Sequence, residues 1–231
     1  MIAENVKNIK ENIAATCYRI GRAPQSVEII AVSKTFRADA VLEAYRAGLT
    51  DFGENYVQEL VEKKEKLSGE AVRWHFIGHL QTNKVKYIAG WIHMIHSVDS
   101  ETLAAEIQKR AERLNTSIDI LVEVNTSEEA TKFGVKPVGA IALLKKVAAF
   151  PALRLKGLMT IGPFSDAAEE SRRAFRQLKS IFDEANAAGF LANPMSVLSM
   201  GMTHDYTIAI EEGSTMVRIG TAIFGPRTPV N

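Results

Sequence analysis

The chain has 231 residues, 46% of them hydrophobic and 24% charged, the composition of a folded globular protein long enough to bury a substantial core. Lys+Arg 28 against Asp+Glu 27 leaves a formal net charge of +1, too balanced for binding through bulk charge, so neither nucleic acid nor a membrane surface is an expected partner. At ~150 residues per domain the length admits two small domains or one barrel-sized domain.

The first predicted element is a helix. Ile2, Val6, Ile9, Ile13, Cys17 and Ile20 recur at steps of three and four and so share one helical face, and Gly21 and Pro24 stop it, giving a helical segment over residues 1–21. Charges interspersed along it leave no apolar run like that of a secretory signal, and no stretch of the chain approaches the ~18 consecutive apolar residues of a membrane span. Cys17 is the single cysteine, so an internal disulfide framework is ruled out. These features predict a cytoplasmic protein in which Cys17 is a small apolar residue of the helix face.

Beyond the helix, short β-rich runs alternate with longer amphipathic stretches. The strand candidates are residues 28–32, 51–53, 73–77, 94–98, 118–124, 155–159, 196–198 and 216–219. Between them lie helical patterns such as Leu103, Ile107, Ala111, Leu114 and Phe175, Leu178, Ile181, Phe182, while EKKEK at 62–66 reads as a solvated helix face. No Pro/Ser-rich linker divides the series. The alternation predicts an α/β fold, a TIM-type (β/α)8 barrel over 28–225 behind the N-terminal helix, as one domain spanning 1–231. A doubly wound sheet is the alternative, but no G-x-G-x-x-G follows the first strand.

In such a barrel the chemistry collects at the C-terminal ends of the strands. Those ends carry Ser33-Lys34, Glu54-Asn55, Gly78-His79, Ser97, Asn125, Thr160, Ser199 with Gly201, and Arg218 with Gly220 and Thr221. Lys34 follows the apolar run IIAV, so its stem starts inside the mouth, where desolvation would make the amine a better nucleophile toward a carbonyl; the alternative is that Lys34 marks the exit into solvent. The glycines of SVLSMGM and MVRIGTAIFG fall where this fold builds phosphate sites from backbone N–H groups, with Ser199 and Thr221 as hydroxyl donors, or else they make tight turns. Lysine and cradle in one mouth suggest a phosphorylated carbonyl compound, which a sugar-phosphate barrel enzyme would also use.

Arg218 lies one pleat before Gly220 and needs an acceptor, either a ligand or a salt bridge to Glu54 or another inward acid. His75 and His79 share one strand face, but no third donor stands at ligand spacing, so no metal is expected; His93 and His96 fall on opposite faces.

The strings AVSKT (31–35), FGENYVQE (52–59), WHFIGHLQTNK (74–84), VNTSEEATKFG (124–134), GLMTIG (157–162), LSMGM (198–202) and GSTMVRIGTAIFG (213–225) closely resemble the pyridoxal phosphate homeostasis proteins, in order, from about Ile29 to Arg227. The resemblance implies a barrel like the N-terminal domain of alanine racemase, the type III pyridoxal phosphate fold. It implies that Lys34 forms the Schiff base with pyridoxal 5'-phosphate and that Asn55 lies beside the ring. Ser199, Gly220 and Thr221 would bind the phosphate, with Met200 and Gly201 nearby through the backbone, and Arg218 would face the pyridine nitrogen. Only PRTPVN follows Gly225, which leaves no second domain to supply the other base of a racemase. The family pattern Ser-x-Asp after LSMGM reads Thr203, His204, Asp205 here, and His204 could tune affinity or be a surface loop histidine.

The expectation is therefore a non-catalytic, monomeric carrier that buffers the cofactor in the cell and delivers it to apoenzymes. A racemase or decarboxylase using the same cofactor is the alternative.

Overall fold

The computed structural model describes residues 1–127, 129, 132–163 and 167–226. Residues 128, 130 and 131 of the string at 124–134, the Arg227 end of the resemblance and the tail after it lie outside these.

Eight strands form a closed, all-parallel barrel in sequence order: β1 (Glu28–Val32), β2 (Asp51–Glu54), β3 (Arg73–Phe76), β4 (Met94–Val98), β5 (Ile118–Glu123), β6 (Leu153–Met159), β7 (Val197–Ser199) and β8 (Met216–Ile219). β1 closes the ring by pairing on both sides, Ala31 with Phe52 of β2 and with Ile219 of β8. Helices α1 (Ile2–Arg19), α2 (Ala38–Arg46), α3 (Val57–Lys66), α4 (Glu101–Arg113), α5 (Pro137–Ala148), α6 (Ala168–Ala187), α7 (Tyr206–Glu211) and α8 (Thr221–Phe224) complete the chain. The crossover after β3 departs from the expected pattern, being a 3-10 helix over Thr82–Tyr87. Among the described residues no helix is long and apolar enough to cross a membrane.

The α/β barrel predicted from the alternation is therefore the observed architecture, and strand parity explains its two cores. A small inner core of Ile30, Met94, Leu121, Met159 and Met216 fills the lumen, and a larger outer core separates strands from helices. α1 buries Ile2, Val6, Ile9, Ile13 and Cys17 and packs against α2, α7 and α8. Its face ends earlier than the periodicity suggests. Ile20 is the C-cap and is 36% exposed, because the helix stops at Arg19 and the chain turns away. Asn5 Nδ2 donates to Ile223 O at 2.9 Å, and Arg22 donates to Ile210 O and Ser214 O at 2.9 Å each, tying α1 and its exit to the last strand–helix unit.

Candidate functional site

Lys34 is half-buried in the turn that leaves β1. That turn is clamped from below. Lys63 Nζ donates to Ser33 O at 2.7 Å and to Glu54 Oε1 at 2.6 Å, Ser33 Oγ donates to Glu54 Oε1 at 2.6 Å, and the N–H of Thr35, at φ 70°, donates to Glu59 Oε2 at 2.9 Å. Lys63 is 5% exposed and Glu54 is fully buried. This corrects the reading of residues 62–66 as a solvated face at Lys63 alone, since Glu62, Glu65 and Lys66 are exposed. Lys63 continues the buried row Val57, Leu60, Lys63 of α3, and its charge conceals a spacing of three that points inward.

Arg218 is 4% exposed and touches no acid among the described residues, so the alternative of a salt bridge to Glu54 or another inward acid is not met and its acceptors are neutral. Nη1 donates to Ser199 O and Ser199 Oγ, and Nη2 to Thr160 O, all at 2.7 Å. Burial lowers the guanidinium to about 10, against the through-space pull of Glu123 and Asp205. It remains cationic at neutral pH.

Ser199 Oγ bonds both Arg218 and His96 Nδ1, the latter at 3.0 Å, so its hydroxyl faces the lumen. Met200 N–H donates to Met216 O at 3.1 Å and its carbonyl accepts from Ser214 Oγ at 2.8 Å, which leaves Met200 no backbone donor to offer a ligand. The N–H groups of Gly201, Gly220, Thr221 and Ala222 have no acceptor among the described residues. Gly201 has φ +92°, and a Cβ there would stand 2.5 Å from Ala209 Cβ and 2.9 Å from Tyr206 Cα. Gly201→Ala is expected to cost about 1–3 kcal/mol, measured by chemical denaturation, because both the backbone conformation and the space require glycine. Asp205 orders the following loop by accepting Met202 N–H at 2.6 Å, while His204 is exposed.

Asn55 at the end of β2 is pressed by Gly78, where a Cβ would lie 2.5 Å from Asn55 O. Its Oδ1 is buried and has no hydrogen-bond partner among the described residues. Asn55 lines a cavity of about 440 Å³ with Gly78, His79, Lys84, Glu123 and Phe133. The His79 and Phe133 rings stack there at 3.9 Å. Burial pushes the Glu123 carboxyl up to about 7, with Arg218 pulling it down and Asp99 pushing it up. Glu123 was not among the sequence candidates, although its position at the end of β5 was the available signal. Lys34, Arg218 and the β7 and β8 ends do not line this cavity.

The histidines are arranged differently from their sequence pairing. His75 meets His96 across neighbouring strands, Nδ1 to Nε2 at 2.9 Å, while His79 turns to Asp99 at 3.6 Å. Asp51, His75 and His93 offer donor atoms within 4.8 Å of one another. Both Asp51 oxygens, however, already accept from Arg73, at 2.7 and 2.5 Å, and His75 Nε2 lies 2.9 Å from Oδ1. An arginine in that place makes the set a hydrogen-bonded cluster rather than a cation site.

Residues 5–228 match the family described as alanine racemase, N-terminal domain. The chain is 44% identical over 224 residues to the pyridoxal phosphate homeostasis protein of Aquifex aeolicus, covering 97% of each. It is 38% identical over 236 residues to that of Escherichia coli, covering 98% of this chain and 97% of the relative. PipY of Synechococcus elongatus, solved with PLP bound, superposes with a TM-score of 0.85 at 33% identity, covering 97% of this chain and all of PipY. Alanine racemase of Clostridium difficile shares the fold at a TM-score of 0.75 and 17% identity, with this chain covering 58% of that one. The chain belongs to the alanine racemase N-terminal domain family and, within it, to the pyridoxal phosphate homeostasis proteins.

Proposed function

We propose that this barrel binds pyridoxal 5'-phosphate and serves in intracellular cofactor homeostasis, holding the aldehyde reversibly and delivering it to apoenzymes as a cytoplasmic monomer without turning over a substrate. The observation that carries this reading is the full-length likeness to PipY, whose structure holds PLP.

The residues of this chain fit that group. Lys34 supplies the amine, and the Lys63–Glu54–Ser33 clamp fixes the turn that presents it. Gly201, Gly220 and Thr221, together with Ala222, offer N–H donors for a phosphate, since glycine admits an anion close to the backbone. Ser199, its hydroxyl engaged by Arg218 and His96, serves as the link behind the cradle, and Met200 contributes packing. The orphaned Asn55 Oδ1 awaits a donor or a polarised ring edge. Arg218 offers a permanent N–H donor to a ring nitrogen and disfavours its protonation. Pyridoxal phosphate supplies an electron sink that depends on that protonation, so the arginine favours holding over chemistry.

Borohydride treatment of the PLP-loaded protein should fix a mass increment on Lys34, and Lys34→Ala should lose both the increment and the visible absorbance band. An increment on another lysine would overturn the assignment.

One observation favours the racemase or decarboxylase alternative: Glu123, raised to about 7, lines the cavity at the mouth as a candidate proton acceptor. Deuterium exchange at Cα of several amino acids separates the readings. Sustained exchange lost in Lys34→Ala would make the protein an enzyme.

A further inference from the structure

A single line of hydrogen bonds crosses the barrel lumen. It runs from Asp51 Oδ1 to His75 Nε2 at 2.9 Å, from His75 Nδ1 to His96 Nε2 at 2.9 Å, from His96 Nδ1 to Ser199 Oγ at 3.0 Å, and from Ser199 Oγ to Arg218 Nη1 at 2.7 Å. All five side chains are buried. Asp51 opens β2 at the N-terminal end of the barrel, and Ser199 ends β7 at the mouth.

The ends of the line determine its direction. Arg218 has only N–H groups to give, so Ser199 Oγ accepts from it. Burial would raise the Asp51 carboxyl, but the hydrogen bonds from His75, Arg73 and Thr50 outweigh that and hold it well below the usual range, so it is ionised and can only accept. His75 Nε2 therefore carries the hydrogen.

A neutral imidazole has one N–H, so His75 Nδ1 is bare and accepts from His96 Nε2–H. His96 Nδ1 is bare in turn and accepts the Ser199 hydroxyl proton. The reverse order would set a bare nitrogen against a carboxylate oxygen at 2.9 Å. A doubly protonated ring is disfavoured too. Burial first keeps His96 neutral, with the Arg218 cation adding to it and Asp51 pulling the other way, and burial likewise favours neutral His75.

We propose that Asp51 sets the direction of this line and, through His75 and His96 as positioning residues, commits the Ser199 hydroxyl proton to His96, so that the oxygen lone pairs are left to Arg218 and hold it toward the mouth. The effect on PLP rests on the cofactor reading above; the direction of the line does not.

The test is the imidazole 15N spectrum of the cofactor-free protein, paired with PLP titration of wild type and Asp51→Ala. Wild type should show N–H at Nε2 and a bare Nδ1 in both histidines at neutral pH. Asp51→Ala should bring Nδ1–H into both rings and weaken PLP binding about fivefold, the size of one neutral hydrogen bond.

Nδ1–H in the wild type at neutral pH, unchanged tautomers in the variant, or shifted tautomers with unchanged or tighter PLP binding would each overturn the proposal. If Asp51→Ala does not fold, His96→Gln takes its place, and unchanged PLP affinity there overturns it. Failure of the wild type to bind PLP would instead sink the cofactor reading and leave the tautomers to decide the line.

Discussion

Lys63→Met is expected to destabilise the protein by about 3–5 kcal/mol, the cost of leaving a buried charge without its partner. The substitution strips Glu54, which is fully buried and already has one orphaned oxygen, of its cationic donor. It also removes the donor to Ser33 O, beside Lys34. At ~2–4 °C per kcal/mol for a chain of this length, the melting temperature should fall by roughly 6–20 °C. Converting Glu54 to leucine in the same chain should recover most of the loss, because a well-packed apolar pair often matches a buried ion pair. Thermal and urea denaturation of the single and double variants would measure both effects. A single-variant loss under about 1 kcal/mol would mean that solvent reaches the pair.

The second large effect is pH-dependent. Glu123 holds its proton to about pH 7 in the folded barrel, whereas the ordinary value is 4.5. The folded state thus binds more protons than the unfolded chain between those values, so this group's contribution makes stability fall as pH rises through the window. The accumulated penalty is roughly 3 kcal/mol above pH 7. Glu123→Gln removes the titrating group. The variant and the wild type should therefore differ least near pH 4.5, and the variant should gain by about 3 kcal/mol at pH 8, measured on the cofactor-free protein. A difference that does not vary with pH would show that Glu123 is hydrated.

Much of the fold was legible because buried parallel strands are continuous apolar runs, and the β1, β4 and β8 boundaries coincide with their predictions. β6 begins at Leu153 instead of 155, since Leu153 follows Pro151 and Ala152 and its apolar character did not separate it from the turn. Lys34, Asn55, Arg218 and the glycines could be located because a barrel collects its polar strand ends at one mouth.

What escaped was pairing across strands. The alternation of a single strand places His75 and His79 on one face, but nothing in it reveals that the next strand brings His96 to 2.9 Å. Lys63 escaped for a related reason, since a charged residue reads as solvated until its partner Glu54, nine residues away, is in place, and Glu123 escaped because nothing along one strand reveals the burial that holds its proton.

Closure of the barrel between β1 and β8 has a consequence for how the site comes into being. Lys34 leaves the first strand and Gly220 the last, and only the seam pairing Ala31 with Ile219 makes them neighbours. A chain emerging from the ribosome therefore carries the amine proposed to hold the cofactor long before the N–H groups proposed to cradle its phosphate. On the proposed reading, amine and cradle come together only when the eighth strand docks, so stable loading would report a finished barrel.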